Sequence, residues 1–450
     1  MSLISNSQNE IKYFVTAENV LNEISKHQLV DGYDFVLDLH SSNNSTIIDK
    51  RTGKELVNFS TCFASMPLRF NHPRLANQEF IDYIGNVALS KPTNSDVYTE
   101  EYATFVKTFF NIAVPEQFKY GFFIEGGALA VENALKTAFD WKIRKNLSKG
   151  KGEKGSQIIH FKQAFHGRSG YTMSLTNTDP IKIQYFPKFN WPRITNPKIK
   201  FPLNDENLQK VIELEKIAEN EIKEAFIKNP NDIAAIIIEP IQGEGGDNHF
   251  RPEFFRKLRE LADENEALLI FDEVQTGLGL TGTFWAFEQM GVQPDIFSFG
   301  KKTQVCGIAA TTRIDDVPDN VFHTPSRINS TWGGNLTDMV RSTRYLEIIE
   351  EENLLDNVKI QGDYLYGEMD DLQSDFPNYI SNIRHLGLFA AFDLPSNIVR
   401  NHFLKNTFNN GLIILPCGEK SIRFRPSLNI SRSEIAEGFE VIRKSLVGLE

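Results

Sequence analysis

The chain has 450 residues, of which 41% are hydrophobic and 24% charged, as in an ordinary soluble globular enzyme. This length is enough for a large hydrophobic core and favours two domains. The net charge of −11, without any basic block, argues against nucleic acid or an anionic membrane surface as a partner.

The targeting and cysteine signals indicate a cytoplasmic protein. Met1–Lys12 has neither a positive n-region nor an apolar h-region, so we expect no secretory signal there. No apolar run is long enough to span a bilayer. Cys62, Cys306 and Cys417 lie far apart, and the histidines lack the spacing of metal ligands. We therefore expect no disulfide framework, no metal site and a reducing compartment.

The pattern of strands and helices divides the chain into three stretches. Residues 1–70 are mixed and loop-rich, with one short strand expected at Tyr33–Leu39. From about residue 75, strands and helices alternate, which is typical of a mainly parallel sheet. After about residue 345 the regular alternation of strands and helices gives way to a helix and short strands. A capping box at Ser431 and Glu434 predicts the start of a final helix. We place the domain boundary near residue 345. The clearest predicted elements are helices at Ala128–Lys145, Leu208–Ile227 and Pro252–Asn265 and strands at Gln157–Phe161 and Ile233–Pro240.

Two further apolar strands end on chemically useful side chains. Ala267–Phe271 runs into Asp272, and Ile296–Phe299 is followed by Gly300 and Lys301. Open α/β sheets bind their ligands at the carboxyl ends of strands. A carboxylate beside a lysine suits pyridoxal 5'-phosphate: the lysine forms a Schiff base with the aldehyde, and the carboxylate keeps the pyridine nitrogen protonated. A lone Asp272 would be read as the cap of a buried strand.

Two residues near Asp272 and Lys301, namely Lys302 and Gln275, require separate interpretations. Lys301 and Lys302 are adjacent, so we expect one of them at the surface. We choose Lys301 as the reactive lysine because it directly follows the strand end and must be desolvated to become a neutral amine. Gln275 is a candidate donor to the phenolic oxygen of the cofactor, the alternative being a solvated loop glutamine.

Two loops offer groups for the phosphate and the ring. Gly127 and Ala128 lead into a strong helix, whose free N-terminal amides would form a phosphate cradle; an ordinary glycine-rich helix start is the alternative. Phe165 and Arg168 follow the strand at Gln157–Phe161. An aromatic there stacks on the pyridine face and an arginine clamps a substrate carboxylate, although alone they would be read as a core phenylalanine and a surface arginine.

A second carboxylate anchor is expected near the C-terminus. Arg423 alternates with apolar neighbours, so a strand would point Arg423 and Arg425 the same way. One of them would bind a carboxylate, or make a structural ion pair. Glu244, in a glycine-rich loop after a buried strand, is either a mask for an arginine or a solvated acid.

One motif is rejected. Gly277-x-Gly279-x-x-Gly282 matches the dinucleotide-binding fingerprint. No acidic residue follows at a strand end about 20 positions later, as that site requires.

Together these motifs resemble the class III (ω-) aminotransferases of PLP fold type I, over nearly the whole chain. The resemblance implies a large domain with a mainly parallel seven-stranded sheet and a smaller α+β domain built from both termini. In this chain those would be residues 71–344 for the large domain and residues 1–70 with 345–450 for the small one. The phrases that carry the resemblance lie at residues 125–136, 164–171, 186–193, 299–307 and 329–338.

The resemblance also implies roles for the candidate residues. Lys301 would be the Schiff-base lysine and Asp272 the partner of the pyridine nitrogen, with Phe165 on the ring face. Gly127 and Ala128 would lie at the phosphate. Most members of the class have a hydroxyl-bearing phosphate loop, which this chain lacks, so backbone amides would make that contact.

Further implied roles concern the substrates and a second subunit. Thr331 would reach the phosphate from the neighbouring subunit, which implies a homodimer with shared active sites. Arg168 would hold the substrate's distal carboxylate and Arg423 the α-carboxylate of the oxo acid. Glu244 would act as a gate over that second arginine.

Within the class, the phrases are most similar to enzymes that transfer the ε-amino group of L-lysine to 2-oxoglutarate. The expected products are 2-aminoadipate 6-semialdehyde, which cyclises to piperideine-6-carboxylate, and L-glutamate. Another ω-aminotransferase, acting on ornithine or 4-aminobutyrate, is the first alternative. A non-catalytic PLP-binding regulator would usually lose the lysine or gain a basic module. A PLP decarboxylase or racemase would not need a second carboxylate anchor.

Overall fold

A seven-stranded sheet forms the centre of the computed structural model, which describes residues 11–449. Nearly all of Met1–Lys12, where no secretory signal was expected, lies outside the described residues. In chain order the strands are β1 (Thr46–Ile48), β2 (Glu55–Asn58), β3 (Phe118–Ile124), β4 (Gln157–Phe161), β5 (Arg193–Ile194), β6 (Ile233–Ile238), β7 (Leu268–Asp272), β8 (Ile296–Phe299), β9 (Cys306–Thr311), β10 (Ser381–Leu386), β11 (Phe389–Asp393), β12 (Leu412–Ile413), β13 (Leu415–Cys417) and β14 (Ser421–Phe424).

Helices connect and cover these strands. The α-helices are α1 (Val20–Ser25), α2 (Gln78–Ala88), α3 (Glu100–Ile112), α4 (Gly127–Ser148), α5 (Thr172–Leu175), α6 (Asp205–Lys228), α7 (Pro252–Glu264), α8 (Leu336–Glu351), α9 (Leu354–Asp375), α10 (Asn397–Asn410) and α11 (Arg432–Val447). Short 3₁₀ helices lie at Ala17–Asn19, Pro180–Lys182, Ala286–Gln289, Lys301–Thr303 and Thr312–Asp316. Thr61–Ala64 forms one more helical turn, in which every residue has a positive φ. None of the described helices is both long and apolar enough to cross a membrane.

The central sheet has the strand order β3-β9-β8-β7-β6-β4-β5. The pairs β4–β5, β4–β6, β6–β7 and β7–β8 are parallel, and β9 runs antiparallel to both β8 and β3. The prediction of an α/β fold with a mainly parallel seven-stranded sheet is therefore confirmed. Because every strand except β9 runs the same way, the loops after β3, β4, β6, β7 and β8 meet at one edge.

Helices cover both faces of this sheet, which explains the continuous apolar runs in its strands. Within β7, Leu269 and Phe271 pack into one hydrophobic cluster, whereas Leu268 and Ile270 pack into another on the opposite face. The alternation is the two-residue period of a strand with both faces buried. The strands at the centre of the sheet, β6 to β9, therefore have no solvent-exposed face.

Most predicted elements lie within a few residues of their expected bounds. The strand at Gln157–Phe161 has its predicted limits, and the capping box forms, with Ser431 N donating to Glu434 Oε2 at 2.8 Å. The strand expected at Tyr33–Leu39 is wrong, since only an isolated bridge from Leu37 to Asp49 is present. Only one residue of that stretch is buried, so no strand face packs against the core.

Two smaller sheets flank the central one. In the first, β12 pairs in parallel with β2, which joins the N-terminal strands to the C-terminal part of the chain. The second has the order β10-β11-β14-β13. Helix α9 packs so closely on the β10–β11 turn that a β-carbon on Gly362 would lie 2.5 Å from the backbone of Gly387.

We expect Gly362→Ala to destabilise the protein by about 1–3 kcal/mol, because the added methyl group meets backbone that cannot easily move. A β-carbon on Gly367, in the same helix, would have no neighbouring atom within 4 Å. Gly367→Ala should therefore be neutral or stabilise the protein by about 0.5–1 kcal/mol. Urea unfolding of the two apo variants checks this, and equal changes in the free energy of unfolding would contradict it.

Candidate active site

A cavity of about 370 Å³ lies at the carboxyl edge of the central sheet. It brings together seven of the residues predicted from the sequence: Gly127, Ala128, Phe165, Arg168, Asp272, Gln275 and Lys301. It is also lined by residues that sequence reasoning did not select: His166, Gly167, Glu239, Val274 and Cys306. The loops after β4, β7 and β8 and the start of α4 therefore converge on one site.

Asp272 is held in a fixed orientation at the end of β7. Its Oδ2 lies 2.8 Å from Nδ1 of His166, and its Oδ1 accepts from Ser298 Oγ at 3.0 Å and from the Val274 amide at 3.1 Å. Burial alone would lower the pKa of His166, but the contact with Asp272 raises it above its ordinary value. His166 thus helps to orient the carboxylate of Asp272. In the sequence, only its position next to Phe165 indicated that His166 lies near the site.

Lys301 directly follows the strand end, as predicted. Its ammonium has no hydrogen-bond partner among residues 11–449. Burial, reinforced by the charges of Arg423 and Arg425, lowers the pKa of Lys301 to about 8. A substantial fraction of this amine is therefore neutral near physiological pH and available as a nucleophile.

The expectation that one of the adjacent lysines lies at the surface is wrong. Lys302 is 1% exposed, and its Nζ donates to the backbone carbonyl of Gln275 at 2.9 Å. Burial lowers the pKa of Lys302 well below its usual range. Lys302 instead ties the loop after β8 to the loop after β7, a role that adjacency in sequence cannot reveal.

The side chain of Gln275 is oriented by two arginines. Its Oε1 accepts from Arg423 Nη1 at 3.2 Å and from Arg425 Nη2 at 2.8 Å. Because the carbonyl side of the amide is occupied, the NH₂ group is the part left to donate to a ligand. Gln275 is thus a fixed part of the site wall rather than a solvated loop residue.

The start of α4 supplies free amides to the cavity. This 22-residue helix begins at Gly127, and no side chain caps its N-terminus. A β-carbon at Gly127 would lie 2.9 Å from Cγ1 of Val274, so glycine permits the close approach of the helix to the loop after β7. Unsatisfied N–H groups at a helix N-terminus attract an anion such as a phosphate.

The three arginines differ in their partners. Arg168 is exposed at the cavity and has no hydrogen bond or ion pair with any described residue. Arg425 is buried against Asp247, with an Nη1–Oδ2 distance of 2.9 Å, and lies 3.4 Å from the ring centroid of Phe389. Arg425, which directly follows β14, is therefore the structural member of this pair of arginines.

Arg423 points the same way as Arg425, as the strand spacing predicts, but is paired with a different carboxylate. Its Nη2 lies 2.9 Å from Oε2 of Glu244, whose other oxygen, Oε1, lies 2.6 Å from Nζ of Lys182. Burial raises the pKa of Glu244, but the charges of Arg423 and Lys182 outweigh it and lower that pKa. Glu244 therefore remains an anion between two cations.

A second buried carboxyl, Glu239, was missed by the sequence reasoning. Its Oε1 accepts from the Phe165 amide at 2.9 Å and its Oε2 from the Gly243 amide at 3.1 Å. Burial raises the pKa of Glu239 to about 7. Glu239 directly follows β6, just as Asp272 ends β7. This shared position at the end of a strand is the feature of the sequence from which a role for Glu239 could have been predicted.

Arg423 and Glu244 do not line this cavity themselves, but Arg423 contacts its wall at Gln275. Two further sequence features also lie apart from it. Thr331 is exposed and is not among the residues that line it. The segment from Gly277 to Gly282 forms turns and does not start a helix, as a dinucleotide site would require.

The residues of the cavity fit pyridoxal 5'-phosphate. An unpaired, desolvated amine, a buried and oriented carboxylate, and uncapped helix amides are the groups that an aldehyde, a pyridine nitrogen and a phosphate require. Phe165 adds an aromatic ring to the wall.

Comparison with known proteins assigns the family. The model of the class III aminotransferases matches residues 30–446. The chain is 49% identical to the L-lysine-epsilon aminotransferase of Mycobacterium tuberculosis and 46% identical to that of Streptomyces clavuligerus, covering 96% of this chain in both and 96% and 95% of those proteins. The structure of the lysine aminotransferase from M. tuberculosis, in the internal aldimine form, superposes with a TM-score of 0.95 at 48% identity, over 97% of this chain and 100% of that chain. The chain therefore belongs to the class III aminotransferase family, whose members use pyridoxal 5'-phosphate to move an amino group from a donor to an oxo-acid acceptor.

Proposed function

We propose that this enzyme transfers the ε-amino group of L-lysine to 2-oxoglutarate, giving 2-aminoadipate 6-semialdehyde and L-glutamate. The aldehyde cyclises to piperideine-6-carboxylate. The observation that carries the proposal is the unequal state of the two candidate carboxylate anchors. Arg168 is unpaired among the described residues, whereas Arg423 is neutralised by Glu244. The similarity to lysine ε-aminotransferases over 96% of the chain supports the same substrate.

This difference suits two substrates of unequal charge. Lysine presents one carboxylate, which Arg168 binds, and the length of its chain carries the ε-amine to the reaction centre. With Arg423 masked, no buried guanidinium is left unpaired while lysine is bound. 2-Oxoglutarate presents two carboxylates, and the second displaces Glu244 from Arg423.

The chain's own residues then move the protons. When bound, pyridoxal 5'-phosphate supplies an aldehyde for the amine and a ring that withdraws electrons from the reacting carbon. Lys301 serves as general base and acid, because its pKa of about 8 lets it both accept and return a proton near neutral pH. Asp272 would keep the pyridine nitrogen of the cofactor protonated, and the amide NH₂ of Gln275 would donate a hydrogen bond to its phenolic oxygen.

The backbone amides of Gly127 and Ala128 would hold the phosphate of the cofactor, and Phe165 would contact its ring. We propose a homodimer in which Thr331 completes the phosphate site of the neighbouring subunit. Its exposure, and its absence from the cavity of its own chain, support this assignment.

The domain division and compartment are part of the same proposal. Residues 71–344 form the large cofactor-binding domain, and residues 1–70 and 345–450 form the small domain. The pairing of β2 with β12 supports the joining of both termini in one unit. All three cysteines are free, which supports a reducing cytoplasm.

Lys301→Ala should lower turnover of lysine and 2-oxoglutarate by about 10²–10⁴-fold or more, because the proton-transfer group is lost. The variant should still fold and bind the cofactor non-covalently. Steady-state kinetics, with thermal unfolding and cofactor absorbance as controls, check both statements. Transamination at the wild-type rate would refute the role of Lys301.

The uptake of cofactor by the apoenzyme should depend on pH through Lys301. A lowered pKa means that the neutral amine predominates above about pH 8, so the rate should rise with pH and be half-maximal near that value. An unperturbed lysine would place the midpoint at about pH 10.4. Stopped-flow absorbance of apoenzyme mixed with cofactor measures the midpoint, and a value above about pH 10 would contradict the desolvated amine.

A donor panel tests the substrate. With 2-oxoglutarate as acceptor, kcat/KM for L-lysine should exceed that for ornithine and for 4-aminobutyrate by about tenfold or more. This is the discrimination expected when substrates differ in chain length by one or a few methylene groups. Mass spectrometry of the lysine product should identify the cyclised amino aldehyde. A higher kcat/KM for ornithine or 4-aminobutyrate would assign a different ω-amino donor.

A further inference from the structure

Glu244 contacts a second cation that no role described above has used. Its Oε1 lies 2.6 Å from Nζ of Lys182, whereas its Oε2 lies 2.9 Å from Nη2 of Arg423. The Lys182 side chain is 23% exposed and the Arg423 side chain 4%. The carboxylate therefore bridges a deeply buried cation and a cation near the surface.

Lys182 reaches this position from a segment of the chain distant from both Glu244 and Arg423. It ends the 3₁₀ helix Pro180–Lys182, whose start is fixed by Asp179 accepting from the Ile181 amide at 3.0 Å. Its Nζ lies 5.5 Å from the ring centroid of Phe165, which lines the cavity. Lys182 thus belongs to a different chain segment from Arg423, and each can hold Glu244 independently.

The backbone around Glu244 is fixed, so any movement must be in its side chain. The Glu244 carbonyl accepts from the Gly418 amide at 2.9 Å. A β-carbon on Gly245 would lie 2.1 Å from the carbonyl oxygen of Gln163, so the next residue is packed directly against backbone. Rotation of the Glu244 side chain is therefore the motion that can uncover Arg423.

When an acceptor carboxylate takes Arg423, Glu244 loses one partner in a partly buried place, where an unpaired charge is costly. Lys182 remains within reach of its other oxygen. We propose that Lys182 is a positioning residue that retains Glu244 after its release from Arg423 and so determines affinity for the dicarboxylate acceptor. This inference rests on the proposed roles of Glu244 and Arg423, but not on lysine being the donor.

The direction in which loss of Lys182 changes acceptor affinity follows from the number of cations that contact Glu244 in each arrangement. While Arg423 is masked, Glu244 has two cationic partners, so loss of Lys182 still leaves it paired with Arg423. After release it has only Lys182, so the Lys182 contact stabilises the open arrangement more than the closed one. Loss of Lys182 should therefore weaken binding of a ligand that needs both arginines more than one that needs Arg168 alone.

Glutarate and hexanoate are suitable unreactive probes, with two carboxylates and one respectively. In the holoenzyme, Lys182→Met should raise the Kd of glutarate by about fivefold, the size expected for a partly exposed ion pair. The Kd of hexanoate should change less than about twofold. Lys182→Arg should restore most of the glutarate affinity, since it keeps the charge. In steady state, the KM for the dicarboxylate acceptor should rise while the KM for the donor stays nearly constant.

Lys188→Met is the matched control. Lys188 lies in the same segment and donates to the carbonyls of Ile183 and Phe186, without touching Glu244. If Lys188→Met weakens glutarate binding as much as Lys182→Met does, the effect comes from loosening the segment and the inference is overturned. In a Glu244→Gln background, Lys182→Met should have no further effect on glutarate.

Two other outcomes also overturn the inference. Equal weakening of glutarate and hexanoate would show a general structural role, and tighter glutarate binding would show that Lys182 holds the gate shut. Because both probes are unreactive, these results stand whatever donor the enzyme uses. A wrong donor assignment would appear only in the donor panel.

Discussion

The active site depends on placing a desolvated lysine amine in the same cavity as an oriented carboxylate. Burial disfavours an ammonium ion, so Lys301 responds by losing its proton more readily, and its pKa falls to about 8. Asp272 is held in one orientation, because its side chain accepts hydrogen bonds from Ser298 Oγ and the Val274 amide and lies against Nδ1 of His166. The distance between the two groups is fixed by strand register, since Asp272 on β7 pairs with Ser298 on β8.

Burial also requires that the positively charged arginines near Lys301 be paired with carboxylates. Arg425 is paired with Asp247, Arg423 is paired with Glu244, and Arg168 faces the cavity without a partner among the described residues. Under the proposed mechanism, these three states would let one site accept substrates with one or two carboxylates without leaving a buried cation unpaired. Glu244 also contacts Lys182, which under our proposal retains its carboxylate after release from Arg423.

The sequence predicted the sheet and most of the cavity because both follow from local pattern. Continuous apolar strands ending in Asp272 and Lys301 place those residues at one edge without any knowledge of packing. The burial of Lys302 was not predictable, because its partner is a backbone carbonyl of a loop distant in sequence. Lys182 and Glu239 were missed for the same reason: their partners, Glu244 and the amides of Phe165 and Gly243, are near only in the folded chain. The strand expected at Tyr33–Leu39 failed because pattern alone does not supply a surface to pack against.

The most direct measurement of the central claim is the site of covalent attachment of the cofactor. The wild-type holoenzyme would be reduced with borohydride, digested and mapped by mass spectrometry. The cofactor mass should be found on Lys301 and not on Lys302, although the two lysines are adjacent. Attachment at Lys302, at another lysine or at none would rule out Lys301 as the Schiff-base residue.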